Sequence, residues 1–210
     1  MSALERIAYF QNRRDEAPNQ ELARDLAEQK DKKGIREIAA GLGHAEGQVQ
    51  ADCIKVLYEV GALNPRLIAG YAGEFVKLLA SKNNRLVWGG MTALAAIAEL
   101  EAAALFAHVD EIKAATESGS VITADQGVRT LARMAAGDEA RRRAIFPYLL
   151  RRLSTCRPKD VPQCAEQTLV AVDKGNSVAF VKVLQKRMED LSAAQSARVR
   201  KVIKQAEARA

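Results

Sequence analysis

The side chains able to do covalent or metal chemistry are few and scattered. There are two histidines, His44 and His108, three cysteines, Cys53, Cys156 and Cys164, and a single tryptophan, Trp88. A structural zinc site needs four Cys or His ligands at short spacings, and none of these residues is so spaced. No GxxxxGK[ST], GxGxxG or GxSxG run is present, so neither a phosphate-cradling loop nor a nucleophile elbow is expected. Gly41-Leu42-Gly43 reads as a helix end. Asp15-Glu16 and Asp110-Glu111 are paired carboxylates, but adjacent residues on a helix point to different sides and do not converge for acid–base work. The expectation is a chain without cofactor or metal, and not an enzyme.

What remains is the chemistry of contact. Trp88 stands third in the segment 86–98, away from its apolar stripe. It is either an anchor for a partner or a side chain packed over a neighbouring helix beside Gly89 and Gly90. The seventh positions of five aligned segments, Lys55, Thr92, Arg129, Gln167 and Lys201, lie opposite their stripes and are expected to face solvent. Arg133 and Arg198 extend that ladder. With Trp88 and Gln126, the residues expected to meet a partner are Lys55, Arg129, Arg133, Gln167, Arg198 and Lys201.

Charge is unevenly spread. Residues 1–105 hold 13 Lys/Arg against 14 Asp/Glu, whereas residues 106–210 hold 19 against 12. A basic half can draw an acidic protein, a nucleic acid or an anionic lipid surface; a solvated surface with a basic bias is the plainer account. Cys53 falls on an apolar helical position and reads as a small core residue. Cys156 and Cys164 flank a loop and could approach one another, and a reduced, cytoplasmic chain is expected. The N-terminus lacks the apolar run of a secretory signal. The most apolar stretch, 91–109, is broken by Glu99, Glu101 and His108, so it reads as two buried helices and not a membrane span.

The elements that position these residues recur. Leu57, Leu94, Leu131, Leu169 and Ile203 are separated by 37, 37, 38 and 34 residues; Ile38, Phe75, Ile112, Leu149 and Leu184 by 37, 37, 37 and 35. A unit of that length cannot enclose its own core and must stack on its neighbours. Each repeat reads as two helices. The second helices, 49–61, 86–98, 123–135, 161–173 and 195–207, are apolar at positions nine and twelve. The fifth position is small in the first four: Cys53, Gly90, Gly127 and Ala165. Steps of four and three mark one helical face, and a small residue on it lets a neighbouring helix approach closely. Asn64-Pro65, and Asn83 or Asn84, are expected to open helices. Gly61, Gly119 and Gly175 stand at boundaries where a left-handed backbone suits glycine.

In Val49, Cys53, Val56, Leu57, Val60 and Gly61, and again in Leu86, Gly90, Ala93, Leu94, Ile97 and Ala98, the second helices resemble the HEAT repeat family. Ile145-Phe146-Pro147-Tyr148-Leu149-Leu150 resembles its first helix. The resemblance covers about residues 31–207. It implies an all-α fold, an α-α superhelix (a HEAT-like, armadillo-like solenoid) of about five helix pairs. The expected units are 31–61, 65–98, 102–135, 139–173 and 176–207 in one continuous domain, with 1–30 as an N-terminal helical cap. The charged ending 204–210 would form the outer face of the last helix. The implied function is a protein–protein interaction scaffold whose second helices line a concave face. The alternative is a nucleic-acid-binding HEAT-like protein that uses a basic concave ladder, either non-catalytic or similar to the HEAT-like DNA glycosylases, with Trp88 and Asp52 or Asp125 imitating their concave-face residues.

Overall fold

The computed structural model describes residues 1–209; the last residue of the charged ending lies outside them. Among the described residues there are twelve α-helices and no strand. They are α1 (Ala17–Glu28), α2 (Lys32–Ala40), α3 (Gly47–Leu63), α4 (Ala72–Leu78), α5 (Asn84–Ile97), α6 (Ala102–Phe106), α7 (Val109–Ser118), α8 (Val121–Ala136), α9 (Glu139–Thr155), α10 (Val161–Thr168), α11 (Ser177–Arg187) and α12 (Ala193–Glu207). The chain divides between Gly127 and Val128, inside α8, into two compact units.

Local chemistry starts these helices. Asp31 accepts from the backbone N–H groups of Lys33 and Gly34, Asn83 from that of Arg85, and Asp138 from that of Arg141. Ser192 and Gln195 form a reciprocal capping box on α12. Each bond satisfies an amide the helix leaves orphaned, about 1 kcal/mol per cap. Pro18 sits in the first turn of α1, where its missing N–H costs nothing. Asn64 stands where a cap was expected, but its side chain makes no cap bond and Pro65 opens only a 3-10 turn.

In the first unit α1 and α2 pack on α3, α3 packs on α5, and α4 packs on α5. In the second, α9 packs on α10 and α11, and α12 on α10 and α11. Ile38, Phe75, Ile112, Leu149 and Leu184 are all 0% exposed, as are Leu57, Leu94 and Leu131; Leu169 is buried and Ile203 half-buried. The two registers of the sequence are therefore the core of successive helix pairs. Each large buried side chain contributes roughly 1.5–3 kcal/mol of transfer free energy.

The small fifth positions mark close helix approaches. A Cβ on Gly90 would lie 3.0 Å from both the Phe75 carbonyl oxygen and Leu78 Cβ, and one on Gly127 only 2.0 Å from Thr116 Oγ1. The boundary glycines behave differently from expectation. No described glycine has positive φ; Asn12 and Lys30 do. Gly61 lies inside α3, and a Cβ there would meet Ile68 Cδ1 at 2.5 Å. Its small size, rather than its backbone freedom, is what the site uses.

Candidate functional site

Lys55 was expected at the solvent-facing seventh position of its helix. It is 6% exposed. The reason is the N-terminal segment. Leu22, Ala23 and Leu26 of α1 are buried, α1 lies against α3, and this covers the face of α3 that carries Lys55. The segment before α1 is tied down as well. Ala3 and Leu4 donate to the Glu37 carboxylate, Arg6 pairs with Asp25, and Tyr9 N–H donates to Asp52 Oδ2 at 2.9 Å. Asp52 also accepts from the Gln48 amide. Buried and doubly bonded, it serves the fold as an acceptor.

A buried ammonium must be paired, and Lys55 is. Its Nζ lies 2.9 Å from Glu16 Oε2 and 2.7 Å from Glu59 Oε1, and sits over the Tyr58 ring at 5.0 Å. Glu16 also receives Arg85 Nη2 at 2.8 Å on its other oxygen. The hydrogen bond from Lys55, then the two positive charges, hold the Glu16 carboxyl below its ordinary value. One carboxylate at the mouth of α1 thus fastens α3 and α5. Trp88 completes the cluster, its ring 5.7 Å from that of Tyr58 and tilted by 51°. It is half-buried. Packing on Tyr58 takes part of the indole and leaves the rest open.

The second unit gathers more of the expected residues. Arg129 and Arg133 of α8, with Gln163, Glu166 and Gln167 of α10 and Val170 just beyond it, line an open hollow of about 470 Å³. Among the described residues the Arg129 side chain makes no hydrogen bond or ion pair, although the residue is half-buried. Arg198 of α12 grips Glu166 with both arms, Nε to Oε1 at 2.9 Å and Nη2 to Oε2 at 2.7 Å. The one acid of the hollow is thereby neutralised from outside. Lys201 is exposed and does not line it. Gln126 is half-buried, its amide donating to Asp125 at 3.3 Å, and does not line it either.

So Arg129, Arg133 and Gln167 come together, Arg198 stands behind them, and Lys55 is withdrawn from the surface. Gln163, Glu166 and Val170 were missed. The signal for Gln163 was present: it is third in its helix, the position that drew notice only where Trp88 occupied it. The histidines are engaged locally: His44 Nδ1 accepts from Glu46 N–H, and His108 Nδ1 pairs with Glu111 at 2.7 Å.

No protein-family model and no curated protein matches the chain. Solved structures do. An engineered protein from a structural genomics consortium aligns over 99% of this chain and 98% of its own, at 21% identity and a TM-score of 0.66. A designed armadillo repeat protein in complex with the peptide (KR)4 covers 98% and 97%, at 14% identity and a TM-score of 0.68. The karyopherin Kap121p, bound to the extreme C-terminus of the protein phosphatase Cdc14p, covers 91% of this chain and 21% of its own, at 16% identity and a TM-score of 0.61. At such identities the likeness is one of fold. The chain is an all-α, HEAT/armadillo-like α-α superhelix. Among the described residues no helix is long and apolar enough to cross a membrane.

Proposed function

We propose that this chain is a non-enzymatic, cytoplasmic interaction scaffold that binds an acidic segment of a partner protein on its second helices, the concave side in a stack of this kind. Arg129 carries the reading. A half-buried arginine whose side chain makes no ion pair, set in an open hollow beside Arg133 and Gln167, can take up a carboxylate. Guanidinium forks bind carboxylates bidentately, and the glutamine amides can take backbone carbonyls of an extended peptide. Designed armadillo protein and karyopherin alike are solved with peptide or protein tails bound. The (KR)4 peptide of the former is basic; the hollow here is itself basic and calls for an acidic tail.

Fluorescence anisotropy with a labelled Asp/Glu octapeptide, run against the (KR)4 peptide, tests this. The acidic peptide binds and the basic one does not. Arg129→Glu with Arg133→Glu lowers affinity at least about tenfold, the scale of losing a buried charge-assisted pair. Arg143→Glu, at an exposed position on α9, changes it by less than about twofold. Binding that ignores the Arg129/Arg133 reversal removes the hollow from the account. A single-stranded oligonucleotide that displaces the peptide, with a log–log salt slope near −0.7 per phosphate, moves the reading to nucleic acid.

A further inference from the structure

Cys156 and Cys164 meet at the corner where α9 gives way to α10. Cys156 closes α9, its N–H donating to the Arg152 carbonyl at 2.8 Å and its sulfur lying 3.6 Å from the Leu153 oxygen. It is half-buried. Cys164, within α10, is buried. A short turn, Pro158–Asp160, folds one back toward the other. Arg187, the last residue of α11, inserts into the same corner. Its side chain is 10% exposed, Nη1 donates to the Leu153 carbonyl at 2.8 Å, Nη2 to that of Cys156 at 2.8 Å, and Nε pairs with Asp190. A half-buried cysteine, a buried cysteine and a fixed guanidinium therefore share one corner.

The electrostatics agree with the geometry. The neighbouring Cys164 thiol first, then the Arg187 guanidinium, favour the Cys156 thiolate; together they outweigh burial and bring the Cys156 pKa down to about 7. Cys164 is pushed the other way, by that same partner first and by burial next. One sulfur is thus the nucleophile and its neighbour the protonated resolver. The third cysteine supplies the contrast. Cys53 is 0% exposed, and burial pushes its thiol up to about 12.

We propose that Cys156 and Cys164 form a peroxide-sensitive dithiol that closes to a disulfide. The Cys156 thiolate attacks one oxygen of hydrogen peroxide; the O–O bond breaks, and the departing hydroxide takes a proton to leave as water, giving a sulfenic acid. The Cys164 sulfur then attacks the Cys156 sulfur. The S–OH bond breaks, the Cys164 proton leaves with the hydroxyl as a second water, and an S–S bond forms. Two thiols are oxidised by two electrons, and one peroxide is reduced to two waters. The proposal stands independently of what the hollow binds.

The test uses the full chain. After hydrogen peroxide, blocking with iodoacetamide under denaturing conditions should show an intact mass lower by about 2 Da before alkylation, with one alkyl group added instead of three. Non-reducing peptide mapping should join residues 156 and 164 and find Cys53 as the alkylated thiol. Without oxidant at pH 7, Cys156 should alkylate about fivefold faster than a free cysteine peptide. Its thiolate population is up about fiftyfold, and its lower basicity takes back about tenfold. Cys164→Ser should leave a dimedone-trappable sulfenic acid at Cys156, and Cys156→Ser should leave Cys164 reduced. Arg187→Gln should slow Cys156 alkylation at pH 7; if that variant loses its helical circular dichroism, the two serine variants carry the test alone. Three alkylatable thiols after peroxide, or a Cys156–Cys156 cross-link between chains in place of the internal one, overturns the proposal.

Discussion

Gly127 shows how much one missing methyl group can decide. It occupies the small fifth position of α8, and a Cβ there would lie 2.0 Å from Thr116 Oγ1 and 2.9 Å from Thr116 Cβ. Thr116 is fully buried and its hydroxyl donates to the Ile112 carbonyl, so it cannot swing away without orphaning a polar group. Gly127→Ala should therefore destabilise by about 1–3 kcal/mol, the usual cost of overpacking. Adding Thr116→Ala should recover part of that loss. Gly73, in α4, is the control: nothing stands within 4 Å of its Cβ position and its φ is ordinary. Gly73→Ala should stabilise by about 0.4–1 kcal/mol through the unfolded chain. Thermal melts of the variants check both signs; a Gly127→Ala protein as stable as wild type would mean α7 and α8 are not in close contact. The small fifth positions were legible because the repeat exposes what every copy shares. Gln163 was harder to see, because the third position holds a different residue type in each helix.

At the level of elements, the helices followed from periodicity, but what covers them did not. Leu22 and Leu26 stand four residues apart on one helical face, and both are buried in α1. Which face of α3 it would cover is a matter of docking, which residue spacing within α3 does not encode. Lys55 therefore read as a surface cation and is in fact a buried one, held by Glu16 and Glu59. This pairing has a pH consequence. Glu16 has its folded-state pKa depressed, by the hydrogen bond from Lys55 first, below the ordinary 4.5. A depressed carboxyl contributes stability that is present above about pH 4.5 and is lost as pH falls through the lower folded value. Hydrogen-exchange protection of α1 should accordingly weaken below that pH. At pH 7 Glu16→Gln should lower the protection of α1 by about two- to fivefold, since the partly exposed pair is worth no more than about 1 kcal/mol. It should also flatten the acid dependence. A Glu16→Gln protein whose α1 amides exchange as in wild type across pH 3–7 would show that packing alone holds the segment.

Over the whole molecule, the uneven charge seen along the sequence becomes sharper at the structural division. Residues 1–127 carry 14 Lys/Arg and 18 Asp/Glu, a net of −4, and residues 128–210 carry 18 and 8, a net of +10. Between the two halves of the sequence the contrast is weaker, because nothing in the repeat period marks a boundary inside α8. Two compact units with separate cores also predict how the chain unfolds. Trp88, the one tryptophan, belongs to the first unit, whereas helices of both contribute to far-ultraviolet circular dichroism. Stability in a repeat stack is a sum of unit and neighbour terms, so unfolding need not be all-or-none. Urea titrations followed by tryptophan fluorescence and by circular dichroism should give different midpoints. Leu184→Ala, which empties a fully buried position in the second unit, should cost about 2–5 kcal/mol there. It should move the dichroism curve to lower urea while leaving the Trp88 transition nearly in place. If the two probes coincide and Leu184→Ala shifts both by the same amount, the chain unfolds as one cooperative body, and the division at Gly127 has no thermodynamic meaning.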